Sequence, residues 1–199
     1  MGLRISKGKI HELSIETFNG EIVVVDKIED VAEAVAYLKR FEVIGFDTET
    51  KPVFKKNRSN KVALMQLSTF DKCFLFRLNL IQYPDELDDL ICSNDVMKVG
   101  LSLRDDFAAL RERSDCSPLN FIDLQDIVMD YGIKDMSLQK IYAILFNKKI
   151  SKGQRLSNWE AETLKESQKM YAAIDAWACL KIYNNLIKNG APVNDELSD

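Results

Sequence analysis

Apolar residues along this chain switch between two spacings. Short runs rich in β-branched and aromatic residues have the length of buried strands: EIVVVD at 21–26, FEVIGFDTET at 41–50, VALMQLST at 62–69, KCFLFRL at 72–78, VMKVG at 96–100 and NFIDL at 120–124. Elsewhere apolar residues recur every three or four positions, the spacing of an amphipathic helix: 29–40, the DELDDLIC stretch after Pro84, 103–113, 137–146, and a long stretch from about Glu160 to Lys188. The second, third and fourth runs follow one another with only a tight turn at Phe70-Asp71 between the last two, which predicts three consecutive antiparallel strands. After Pro84 strands alternate with helices. The chain therefore predicts an α/β fold, a mixed central sheet flanked by helices. Residues 1–20 are mixed in character and predict an N-terminal arm, the domain proper spans 21–190, and the polar residues 191–199 predict a flexible acidic tail.

Composition narrows this picture. With 199 residues, 46% of them hydrophobic, and no internal repeat or long linker, the chain can bury one full core as a single domain. The four cysteines, Cys73, Cys92, Cys116 and Cys179, are far apart and His11 is the only histidine, which argues against structural zinc and against a disulfide framework. No apolar run approaches the ~20 residues that span a bilayer, and MGLRISKGK lacks the apolar stretch of a secretory signal, so no membrane association and a cytoplasmic location are expected. The net charge of −4 argues against coating nucleic acid by global attraction. Two local basic stretches remain: 51–61, with five cations and no acid, and Lys148, Lys149, Lys152 and Arg155. A phosphate-binding GxxxxGK[ST] loop is absent, which disfavours a nucleotide switch or kinase.

Three acidic patterns carry candidate chemistry. Asp47-Thr48-Glu49 ends an apolar strand, and residues two apart project to the same side, so both carboxylates can reach one cation. Tyr171 and Asp175 are spaced i, i+4 on one helical face among alanines. Asp105-Asp106 opens the helix after KVG, where the helix dipole favours acids. Each pattern alone has a bland alternative: solvated acids at a strand end, a salt bridge to a nearby lysine, or simple helix capping.

Together, FDTET, GLSLRDDFAAL and YAAIDAWACLKIY, in this order and spacing, resemble the three exonuclease motifs of the ribonuclease D-like group within the DnaQ-like superfamily, and most closely the Werner-syndrome-type exonuclease domain. The likeness runs from about residue 41 to 187 and takes in KVALMQLS and RLSNW. It implies an RNase H-like fold with a five-stranded mixed sheet, and a 3′→5′ exonuclease that releases nucleoside 5′-monophosphates from the 3′ end of DNA or RNA. It also implies two divalent ions, Mg²⁺ or Mn²⁺, held by Asp47, Glu49, Asp106 and Asp175. In that scheme Asp47 bridges both ions, Glu49 and Asp175 complete one site, Asp106 serves the other, and Tyr171, of the tyrosine subclass, aims the attacking water. The sequence departs from relatives at Arg104-Asp105, which keeps Asp105 as a rival to Asp106. A helical nucleic-acid-binding extension of the ribonuclease D kind is not expected after the domain, so substrate capture is expected to use the domain's own loops or a partner. Thr50, Lys51, Phe54 (as a stacking face), Lys152 and Arg155 are the candidate contacts. Trp159 reads as a packing anchor and His11 as non-catalytic. Two other functions stay open: a catalytically silent nucleic-acid- or protein-binding module on this fold, and a hydrolase of very short oligonucleotides. The oligomeric state is not specified, and a monomer is compatible with the chain.

Overall fold

Each of the six apolar runs becomes a strand in the computed structural model, which describes residues 2–52, 60–115 and 117–190. The strands β1 (Glu21–Val25), β2 (Val43–Thr50), β3 (Val62–Ser68), β4 (Lys72–Phe76), β5 (Met97–Gly100) and β6 (Phe121–Asp123) form one mixed sheet in the order β1-β4-β3-β2-β5-β6. β2, β3 and β4 are antiparallel neighbours, the last two joined by a tight turn, while β1 joins β4, β5 joins β2 and β6 joins β5 in parallel. The five strands implied by resemblance are thus corrected to six. The additional edge forms because the whole of β1 pairs with β4, from Glu21 opposite Lys72 to Val25 opposite Phe76.

Among the described residues the helices are α1 (Lys7–Glu12), α2 (Val31–Leu38), α3 (Leu78–Ile81), α4 (Asp85–Ile91), α5 (Leu103–Leu110), α6 (Leu124–Ile127), α7 (Leu138–Phe146) and α8 (Glu166–Asn189). Strand alternation sends Ile44, Phe46, Met65, Leu67 and Phe76 to one face, where they pack with α2 and α4. The opposite face lies under α8, whose Ala172, Ala176, Ala178 and Cys179 are buried. Close approach needs small residues on both sides: a Cβ at Gly45 would collide with the Ala176 carbonyl oxygen. α8 starts six residues later than its apolar spacing predicts. The intervening segment is irregular, held by the buried Arg77 guanidinium, which donates to the carbonyls of Ala161 and Glu162 (2.7 Å to the latter). α1 escaped the periodicity because it buries only Ile10; it is capped instead by the Ser6 hydroxyl, which accepts from the Lys9 N–H.

The segment before β1, read from sequence as an arm, carries Ile5, Ile10 and Phe18 into the same apolar cluster as α7 and α8. Glu16, 5% exposed, accepts hydrogen bonds from Tyr142 (2.7 Å), Lys148 (2.9 Å) and Lys181 (3.2 Å). The Lys181 ammonium in turn lies 4.5 to 5.2 Å from the ring centres of Trp177, Phe146 and Tyr142. Burial alone would raise the Glu16 carboxyl, but these hydrogen bonds outweigh it and bring it down to about 2. A depressed acid stabilises the fold above its unfolded titration point and loses that contribution as pH falls toward about 2. Glu16→Gln is therefore expected to cost on the order of 1–3 kcal/mol at neutral pH. Thermal unfolding checks this: the gap from wild type should narrow on acidification, and an unchanged melting temperature at pH 7 would show that the cluster contributes nothing.

Cys73 and Cys179 are buried free thiols, whereas Cys92 is disulfide-bonded, so the expected absence of a disulfide framework does not extend to every cysteine. No helix among the described residues is long and apolar enough to cross a membrane.

Candidate active site

Period-two alternation along β2 aims Gly45, Asp47 and Glu49 at α8. Because Gly45 lets the helix settle close, Asp175 comes down beside the two strand acids. One carboxylate oxygen from each of Asp47, Glu49 and Asp175 lies within 4.8 Å of the others. Tyr171, one turn before Asp175, hydrogen-bonds it through the phenol. Asp106 stands outside that triplet, on the first turn of α5, where it accepts a hydrogen bond from the Thr48 hydroxyl. It is still near enough to raise the titration of both Asp47 and Glu49. Asp105, the rival, is exposed. Asp123, which the sequence reading did not single out, sets the start of α5: its carboxylate accepts from the N–H groups of Ser102 (2.9 Å) and Leu103 (2.8 Å). Ser102 takes a left-handed backbone, φ 63°, to make this turn.

Four acids crowded together in a largely buried place resist ionisation. Burial first, then Asp175, Asp106 and Glu49, push Asp47 well above the usual carboxylate range. Burial and the Asp175 and Asp106 charges raise Glu49 to about 8, opposed by Arg155. Burial lifts Asp175 to about 7, opposed by Tyr171 and Lys152, and lifts Asp106 to about 6, opposed by Thr48. Burial, with Asp175 and Glu49 beside it, keeps the Tyr171 phenol far above its ordinary range. A set of hard oxygen donors short of positive charge fits divalent cations such as Mg²⁺ or Mn²⁺.

This electrostatic crowding has a measurable consequence. Unfolded Asp and Glu titrate near about 4, so between about pH 4 and about pH 8 the folded chain binds more protons than the unfolded one. Stability then falls as pH rises across that window. Without divalent cations the melting temperature is expected to drop from about pH 5 to about pH 8.5, and millimolar Mg²⁺ or Mn²⁺ should recover it at the upper end. A profile that is flat in pH and indifferent to the cations would rule this account out.

Of the candidate substrate contacts, Lys152 and Arg155 line a cleft of about 470 Å³ together with Asp47, Asp106, Tyr171 and Asp175. Thr50 and Lys51 line an adjoining hollow of about 400 Å³ with Thr48, Glu49 and Asp106. Lys51 is paired with Glu160 at 3.0 Å. Phe54 lies outside the described residues, as does the 191–199 tail. Trp159 is the packing anchor expected, fully buried with its ring 6.0 Å from Tyr171. Thr48 was missed because alternation turns it away from Asp47, toward α5. Only the RLSNW likeness hinted at Trp159, and nothing local hinted at Asp123.

A mixed sheet whose central strand ends in two acids, roofed by a helix that lowers a third onto them, defines an RNase H-like exonuclease fold. Residues 22–191 match the family model described as 3′-5′ exonuclease, and the chain belongs to that family. It is 33% identical over 181 residues to exonuclease 3′-5′ domain-containing protein 2 of Drosophila melanogaster, covering 86% of this chain and 31% of that protein. It is 32% identical over 151 residues to the bifunctional 3′-5′ exonuclease/ATP-dependent helicase WRN of Mus musculus, covering 73% of this chain and 11% of that one. The chain thus spans a minor part of both curated relatives. The Nibbler EXO domain of Aedes aegypti superposes with a TM-score of 0.77 at 24% identity, over 87% of this chain and 91% of that one.

Proposed function

We propose that this chain hydrolyses phosphodiester bonds at the 3′ end of DNA or RNA, releasing nucleoside 5′-monophosphates, with Asp47, Glu49, Asp106 and Asp175 holding two divalent ions, Mg²⁺ or Mn²⁺. The observation that carries this reading is the approach of the Asp47, Glu49 and Asp175 oxygens to within 4.8 Å of one another, from two elements far apart in the chain. Asp106, on the same cleft, completes the set. When bound, such ions stabilise the charge that builds on the attacking and leaving oxygens and make water a better nucleophile near neutral pH.

The remaining work falls to side chains. The phenol of Tyr171 holds its proton throughout the physiological range, so it acts by hydrogen bonding, aiming the attacking water, and not as a base. Lys152 and Arg155 on the cleft wall are suited to the phosphates behind the terminal nucleotide, and Thr50 and Lys51 to that nucleotide itself.

The test is degradation of 5′-labelled single-stranded and recessed-end DNA and RNA with Mg²⁺ or Mn²⁺. A metal-dependent ladder shortening from the 3′ end is expected, with affinity falling steeply as salt rises. Intact polymers under every condition would refute the reading; cleavage confined to very short oligonucleotides, indifferent to salt, would limit the substrate class.

A further inference from the structure

Two acids of the candidate site have a side-chain hydrogen-bond donor: Thr48 for Asp106 and Tyr171 for Asp175. The donor found beside Asp47 is the backbone N–H of Thr48. Directly across the β2/β3 ladder from Asp47 stands Gln66. Opposed residues of an antiparallel pair project from the same face with Cβ atoms ~4.5–5.5 Å apart. Gln66 is wholly buried, and neither its Oε1 nor its Nε2 has a partner. Its surroundings do not call for an amide. Leu64, opposite Glu49, and Leu75, opposite Gln66 on β4, are apolar and fully buried, and α8 closes the face above. The nearby Ser68 hydroxyl is already engaged with the Thr69 carbonyl. An apolar side chain of similar volume would fill this place without an unsatisfied amide.

We infer that Gln66 is a positioning residue for Asp47: its Nε2–H, unpartnered in this structure, takes the Asp47 carboxylate as its acceptor once cations are bound, turning it so that its other lone pairs face them. Ligating carboxylates are commonly held in this way by a neighbour that does not itself touch the ion. The inference rests on the reading of Asp47 as a metal ligand.

Gln66→Leu and Gln66→Met, made in the full chain, test it through Mn²⁺ titration calorimetry on metal-free protein, thermal unfolding without metal, and steady-state cleavage of an oligonucleotide. Mn²⁺ binding is expected to weaken on the order of 10–100-fold. The metal-free melting temperature should stay level or rise, and kcat should fall while KM for the oligonucleotide is unchanged. Either variant binding Mn²⁺ like wild type while folded would overturn the inference, as would failure of both to fold, which would make the amide a core requirement. Asp47→Asn separates the two levels. If wild type binds Mn²⁺, Asp47→Asn does not and the Gln66 variants do, only the inference falls; if wild type binds no Mn²⁺, the metal reading fails and takes the inference with it.

Discussion

Asp47→Asn is expected to lower cleavage by at least about 10²–10³-fold, the scale seen when one group that stabilises transition-state charge is removed, while leaving the fold intact or firmer. The second half of that expectation follows from crowding. Asp47 is half-buried and its ionisation is opposed by Asp175, Asp106 and Glu49, so a neutral amide of the same shape removes repulsion without opening a cavity. In metal-free buffer near pH 8 the variant should therefore melt at or above the wild-type temperature, and added Mg²⁺ or Mn²⁺ should stabilise it less. Cleavage assays and thermal melts on the same preparation distinguish this from simple damage. Activity retained at the wild-type level would remove Asp47 from the catalytic set; lost activity with a collapsed melting temperature would mean that its role is structural.

Gly45→Ala is expected to affect the fold itself. The added methyl would collide with the Ala176 carbonyl oxygen, a backbone atom that cannot swing aside, and would also press on Leu180. Overpacking of this kind costs about 1–3 kcal/mol and occasionally more; with backbone as the obstacle, the upper end, about 3 kcal/mol, is expected. For a chain of this size that corresponds to a fall of about 6–12 °C in melting temperature. α8 carries Tyr171 and Asp175, and displacing it from β2 by even ~1 Å should cost cleavage about 10²-fold. Gly153→Ala is the matched control. Its nearest obstacle is the Ser151 hydroxyl at 3.5 Å, and it should fall within about 0.5 kcal/mol of wild type. Equal stability of the two variants would mean that the contact between β2 and α8 does not hold the site together.

The same contact shows why part of the site was legible in the sequence. That Asp47 and Glu49 share a face follows from the two-residue period of a strand, and that Tyr171 and Asp175 share one follows from the 3.6-residue period of a helix. Neither period says that the two faces meet. The likeness of FDTET and YAAIDAWACLKIY to exonuclease motifs supplied that expectation, and the close fit of Gly45 against Ala176 is its physical form. The Asp105/Asp106 ambiguity was not local either. Both open the same helix, and the exposure of one and the engagement of the other with Thr48 depend on how Asp123 seats that helix against β2.

Other elements mark the same divide. By itself the sequence determined the six strands, the main helices, the antiparallel run from β2 to β4 and the pairing of acids on common faces, because each is written in the spacing of neighbouring residues. Only the tertiary structure decided that β1 extends the sheet beside β4, that Arg77 holds the segment before α8, that Trp159 and Gln66 stand near the acids, and that Ile5, Ile10 and Phe18 belong to the core. These depend on contacts between residues distant in sequence, such as Glu16 with Lys181 or Thr48 with Asp106, whose partners no local period identifies and which come together only when the whole chain buries its apolar faces at once.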